Sequence, residues 1–268
     1  MLSNLRTLFG YRALIQSLVV RDLKARYRGS VLGFLWSFVN PLLLLLVYSF
    51  VFLVMPTTRT TVAGEASYPV LMFCGLLPWA WFSSSLLESA TVLVSGGNLI
   101  RKVLFPAEVL PLVTVIAGLV NFCLGLPILF GFIVYFGVPI VWLDLLWLPV
   151  IVMVQLMLTL GLALLFSVLT VHFRDLRDLL ANVLTLWFFA TPILYKLSNV
   201  AALSPKARDV MMLNPFAQLA VAYQQVLYEP GSFTGWGYLL AVGVASMLVL
   251  IFGYFVFDRL RDTLAEAV

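Results

Sequence analysis

Apolar runs of membrane-spanning length recur along the chain at 31–55, 69–93, 107–136, 145–171, 179–195 and 236–257. A helix rises about 1.5 Å per residue and the hydrocarbon layer is about 30 Å thick, so about 20 apolar residues are enough to cross it. The pattern predicts an all-α polytopic membrane protein with six transmembrane helices. The third run carries Pro111 and Pro127 and is expected to tilt or kink, and the short fifth run contains Pro192. Ahead of the first run, Leu8, Tyr11, Ile15, Leu18 and Val19 gather on one helical face, with Arg12 intruding, while Arg21, Lys24 and Arg28 share another. Asp22 stands at the i,i+4 spacing to Arg26. This predicts an amphipathic helix lying in the interface, with Gly29-Ser30 turning the chain into the bilayer.

The longest stretch between spans, 196–235, is not ordinary loop sequence. Asn214-Pro215 reads as a helix N-cap followed by proline at the first helical position, and Phe216, Leu219, Val226 and Leu227 follow among Gln218, Gln224 and Gln225. It is too short and polar to span, so it predicts external re-entrant or interfacial helices. The organisation read from the pattern is one transmembrane domain over 1–268. It comprises an interface helix at 1–30, spans one to five over 31–195, external helices over 196–235, and the sixth span with a cytoplasmic tail over 236–268.

Composition agrees. Of 268 residues 63% are hydrophobic and 10% charged, with a mean hydropathy of +1.07, which excludes a soluble domain. The first apolar run is too long for a signal-peptide core and lacks a cleavage pattern. Cys74 and Cys123 lie in apolar runs as small hydrophobes, and the single histidine, His172, leaves no ligand cluster, so no metal site is expected. The net charge of +4 is informative through its distribution. With six spans, twelve basic residues (Arg6, Arg12, Arg21, Lys24, Arg26, Arg28, Arg101, Lys102, Arg174, Arg177, Arg259 and Arg261) share the side of the termini. Four (Arg59, Lys196, Lys206 and Arg208) lie opposite. That asymmetry puts both termini in the cytoplasm.

The block Arg26-Tyr27-Arg28-Gly29-Ser30, followed by Leu32-Gly33, Leu35-Trp36 and Asn40-Pro41, resembles the membrane (permease) subunits of ABC transporters that export lipid-linked polysaccharides, the O-antigen, capsule and teichoic-acid export permeases. The rest of the chain is similar to that family in layout more than in letters. The resemblance implies a homodimer in the bacterial cytoplasmic (inner) membrane, with two copies of a separate ABC ATPase that binds ATP and Mg2+. The cargo implied is a polysaccharide on a lipid carrier, bound for lipopolysaccharide, capsule or wall polymer. Nucleic acid is not among the expected partners. The chain has no phosphate-binding loop of its own and no HExxH, CxxC or GxSxG motif, so no cofactor and no catalytic residue is assigned to it.

Three groups of candidate residues follow. Arg21, Lys24, Arg26 and Arg28 stand where an anionic lipid headgroup could dock. Asn98, Leu99, Ile100, Arg101, Lys102, Val103, Leu104 and Phe105 follow flexible glycines as a short amphipathic piece. Read alone they fit a plain interfacial turn as well as a plug for a partner groove; the resemblance places the family's ATPase-coupling helix there. The loop Val171–Asp178 is open to the same two readings. Trp79, Trp81, Phe82 and Glu88 are candidates for lining a conduit, because sugars stack on aromatic rings. Ordinary packing is the alternative for the aromatics, and snorkelling to the interface is the alternative for Glu88. Asn121, Gln155 and Asn182 are mid-span polar residues that either line the pathway or hydrogen-bond between helices, the second being the favoured reading. A permease for a drug or small lipid is the nearest alternative function, and a membrane-embedded transferase is a more distant one.

Overall fold

The computed structural model describes residues 10–26, 29, 35–54, 67–96, 106–229, 231 and 233–267. Arg28 and the stretch Asn98, Leu99, Ile100, Arg101, Lys102, Val103, Leu104 and Phe105 lie outside the described residues, as does Ser30 of the predicted Gly29-Ser30 turn. Gly29 itself has φ +79°, a left-handed backbone that glycine adopts without strain.

The described residues form helices and turns, with no strand among them. Helix α1 spans Arg12–Arg26, α2 Trp36–Val54, α3 Tyr68–Ser95 and α4 Val109–Tyr135. A 3-10 turn at Asp144–Trp147 leads into α5, Leu148–His172. Then come α6 Leu176–Phe189, α7 Leu197–Leu203, α8 Pro205–Met211, α9 Pro215–Leu227 and α10 Trp236–Ala267.

Among the described residues four stretches are long and apolar enough to cross a membrane: Tyr68–Ser95, Val109–Tyr135, Asp144–His172 and Trp236–Arg261. The chain is therefore a multi-pass membrane protein. The two remaining predicted spans coincide with shorter helices. Helix α2 has 19 residues and α6 has 14. At 1.5 Å per residue, α6 is about 21 Å long, less than the hydrocarbon thickness. The run expected over 179–195 stops early because the chain turns at Thr191-Pro192, where proline supplies no N–H to continue the helix.

The core is built around α3, whose buried face runs from Tyr68 to Leu93. It packs against α4 and α5, and α5 in turn makes the most extensive helix–helix contact of the fold, with α10. Small residues let that pair approach closely. A Cβ on Gly161 would lie 2.7 Å from Leu250 Cα, and one on Gly253 would overlap the Gly161 carbonyl. Backbone, unlike a side-chain tip, cannot move aside, so this crossing admits only glycine.

Polar groups inside this core are mostly stitched to backbone. Gln155 Nε2 donates to Pro78 O at 2.9 Å, an interhelical bond of the kind the sequence leads one to expect, whereas Asn182 is exposed. Tyr68 Oη donates to Leu194 O at 2.7 Å, which places the start of α3 beside the end of the α6 turn. At that same end of the bundle, buried Asp144 accepts the Phe233 N–H at 3.0 Å, and Trp147 meets the Phe233 ring 5.1 Å away. The opposite end is closed by a cluster of Leu93, Leu110, Leu164, Val168 and Phe257.

The glycine crossing generates a prediction with opposite signs at two sites. Gly253→Ala should destabilise the protein by about 1–3 kcal/mol through overpacking. Gly131→Ala, with no atom within 4 Å of the new Cβ, should be neutral or stabilising by up to about 1 kcal/mol. Thermal unfolding midpoints of the two variants in detergent check both.

Candidate functional site

The end of α1 joins α3 through a triad of charges. Arg26 Nε donates to Asp22 Oδ2 at 2.9 Å, one helical turn back, which is the pair that the i,i+4 spacing predicts. The same guanidinium donates through Nη1 to Glu88 Oε1 at 2.7 Å and through Nη2 to Glu88 Oε2, a two-pronged pairing across 62 residues of sequence. Such forked Arg–carboxylate contacts are among the stronger polar interactions and fix orientation as well as distance. Burial works against the charge on Arg26, but the adjoining Glu88 and Asp22 carboxylates more than offset it and hold the guanidinium protonated. Glu88 is thus tied to the interface helix. Arg21 and Lys24 are exposed on α1.

Apolar contacts complete the docking of α1. Leu18 and Val19 bury against Val109, Val113 and Ala117 of α4. The charge triad therefore sits at one end of a seam that hydrophobic packing continues.

Beside the triad lies a cleft of about 380 Å3. Arg26 and Glu88 form one wall. Trp36 and Asn40 enter from α2, Trp81 and Ser84 from α3, and Gly118 and Asn121 from α4. Pro41 borders it too, so Arg26, Trp36, Asn40 and Pro41 of the block that carries the family resemblance converge on one cavity. Their spacing along the chain gives no hint of this, because the rest of the lining is contributed by two other helices, α3 and α4. Asn121 turns out to be a cleft residue. Its Oδ1 is buried with no hydrogen-bond partner among the described residues, as is the Oγ of Ser85.

The four conduit candidates separate. Glu88 and Trp81 line the cleft. Trp81 is held in place by its indole N–H, which donates to Val115 O at 3.1 Å, and by Phe122, whose ring centre is 5.3 Å away. Trp79 borders a second groove of about 440 Å3 between α3 and α6. Phe82 is fully buried, 4.7 Å from the Phe216 ring and 5.4 Å from Trp187.

That ring cluster is anchored by Asn214, which caps α9 as the sequence predicts: its Oδ1 accepts the Phe216 N–H at 3.0 Å. The same oxygen accepts the Trp187 indole N–H at 2.7 Å, and Nδ2 donates to Thr191 Oγ1 at 3.0 Å. One amide thus joins α6, the Thr191-Pro192 turn and α9. The loop after α5 is a tight turn that leaves Phe173, Arg174, Asp175, Arg177 and Asp178 exposed.

Amides, a hydroxyl, indoles and an ion pair can hold a polar ligand. They lack a nucleophile with its activating base, and neither His nor Cys lines the cleft. Long apolar helices beside a cleft of mixed polar and apolar lining, with a basic helix docked against them, are an arrangement that suits a membrane permease. The chain belongs to the ABC-2 type transporter family, whose model matches residues 13–228. It is thus a transport subunit, and ATP hydrolysis falls to a separate partner chain. Among its relatives is the O-antigen export system permease protein RfbA of Myxococcus xanthus, 42% identical over 272 residues that take in the whole of both chains. Two Klebsiella pneumoniae proteins of the same name are 29% and 30% identical over 266 residues, 98% of this chain and 96% of each relative.

Two outcomes follow from this geometry. Arg26→Glu or Glu88→Arg alone should free α1, raising the labelling rate of a cysteine placed at buried Leu18, and the double exchange should restore protection. The coupling between the two sites should be about 1 kcal/mol, discounted because 41% of the Glu88 side chain is exposed. Asn214→Ala should cost about 1–2 kcal/mol through the lost cap, with a further loss from the orphaned Trp187 N–H, read as a lower unfolding midpoint.

Proposed function

We propose that this chain is the permease subunit of an ATP-driven exporter that moves a lipid-linked, O-antigen-like polysaccharide across the bacterial cytoplasmic membrane. The observation that carries the reading is the end-to-end likeness to the Myxococcus xanthus O-antigen export permease, 42% identical with no part of either chain left over. The six-run hydropathy pattern supports a topology in which α2 and α6 supply the two remaining spans and both termini are cytoplasmic. Helices α7, α8 and α9 then lie on the outer side as a gate.

Two copies of the chain assemble with two ATPase subunits, which bind ATP and Mg2+. Six spans enclose little space, and a second copy is what widens the path for a polymer. The segment Asn98–Phe105 is the ATPase contact, because it follows α3 at the end where the basic residues concentrate. The exposed Phe173–Asp178 turn lies at that same end and provides a second contact. Arg21 and Lys24 receive the anionic headgroup of the carrier lipid, and Arg28 is proposed for the same role. Arg26 is engaged by two carboxylates in this structure, so it joins the headgroup only by exchanging Glu88 for a phosphate oxygen. Trp81 and Glu88 face the conduit, Trp79 faces the neighbouring groove, and Phe82 backs them.

Affinity purification of the tagged chain from gently solubilised host membranes tests the reading. An ATPase with a phosphate-binding loop should co-purify in equal amount. Leu104→Asp with Phe105→Asp should cut its recovery, since a buried apolar contact of this kind contributes about 2 kcal/mol, or about thirtyfold in affinity. Recovery of the chain free of any ATPase, under mild detergent and with crosslinking, would remove the exporter reading.

A further inference from the structure

We infer that the cleft between α1, α2, α3 and α4 is a binding site for a neutral, hydroxyl-rich group, namely the sugar of the cargo nearest its lipid phosphate. The inference rests on the export reading and deepens it, by dividing the cargo's recognition between two places. Charge makes the division. Arg26 is already engaged by Asp22 and Glu88. A phosphate brought into the cleft finds that guanidinium taken and would have to displace a carboxylate to reach it. Arg21 and Lys24 are exposed outside the cleft, on the same helix, and are open to an anion. A purely apolar ligand is equally unsuited, since it would strip water from the ion pair, Asn40, Asn121 and Ser84 without replacing it.

A pyranose fits what remains. Its hydroxyls both donate and accept, as do the two amides and the serine, and Glu88 keeps acceptor capacity on oxygens that already serve Arg26. The partnerless Asn121 Oδ1 specifically needs a donor, and buried acceptors are rarely left without one. The half-buried indole of Trp36 offers a face against which the ring's C–H groups can lie. Gly118 lets α4 pack closely on the α3 wall of the cleft: a Cβ there would come within 2.6 Å of Ser85 Oγ and 2.7 Å of Trp81 Cδ1. The volume, about 380 Å3, falls within the range of roughly 300–1,000 Å3 common to small-ligand clefts.

The test uses the purified permease–ATPase complex and two probes: the host's lipid-linked glycan, and the same carrier lipid stripped of sugar. The complex should bind the glycosylated form more tightly. Asn121→Leu should weaken that binding about five- to tenfold, the loss of one or two neutral hydrogen bonds, and leave the bare carrier unaffected. Trp36→Leu should act in the same direction and carries the test if the Asn121 variant does not assemble. Equal weakening of both probes, or no weakening, overturns the inference. So does a wild-type complex that fails to distinguish the two. Arg21→Glu with Lys24→Glu should weaken both probes alike; if it changes neither, headgroup docking on α1 is wrong while a sugar-specific loss in Asn121→Leu still stands. A wild-type complex that binds neither probe instead removes the export reading itself.

Discussion

An ionised carboxylate on an apolar helix is stable only if something meets its charge, and for Glu88 that something is Arg26. Much else follows from where the two ends of that pair sit. Arg26 closes α1, so the pair brings the end of the interface helix against the last third of α3. Trp36 and Asn40 of α2 line the same cleft as that guanidinium. Hydrophobic contact of Leu18 and Val19 with α4 supplies adhesion along α1, but it is non-directional and would tolerate a slide or rotation. The forked ion pair does not, and so it sets the register in which the polar cleft is formed. A partly exposed charge pair contributes little net stability, and this one is better understood as specifying an arrangement.

Elsewhere the fold meets the constraint of an apolar surrounding differently. Lipid tails solvate leucine as well as a neighbouring helix does, so association depends on close packing and on hydrogen bonds that span helices. Gly161 and Gly253 provide the first at the α5–α10 crossing. Gln155 on Pro78, Gln224 on Pro192, and Asn214 among α6, the turn and α9 provide the second. Asn214 and Gln224 both act on the Thr191-Pro192 turn. The end of the short helix α6 is therefore held by α9 rather than by its own continuation.

Local chemistry was legible in the sequence. The Asn214-Pro215 cap and the Asp22–Arg26 pair involve residues a turn or less apart, where helical geometry alone decides the contact. Long apolar helices could be read from runs of hydrophobicity, and all four helices of spanning length lie where those runs are. The need of Glu88 for a partner or an interface could be seen too. Its partner could not, because 62 residues separate it from Arg26 and no periodicity links them. For the same reason Asn121 reads as an interhelical linker until four helices are seen to converge on it. The fifth run looked longer than its helix because hydropathy does not register that Thr191-Pro192 turns the chain. Burial of Phe82 behind Trp187 and Phe216 likewise depends on α9 folding back, which aromatic content alone does not reveal.

A basic helix, a polar cleft and an apolar bundle fit a protein that receives an amphiphile with a charged head and a hydroxylated body. That combination matches the cargo named for its relatives, and it makes transport the central claim. Inverted membrane vesicles from the native host measure it directly. On addition of ATP, lipid-linked polysaccharide should become protected from an added glycan-degrading enzyme as it moves into the lumen, and the protection should vanish from vesicles lacking this chain. Undiminished ATP-dependent protection without the chain would contradict the account.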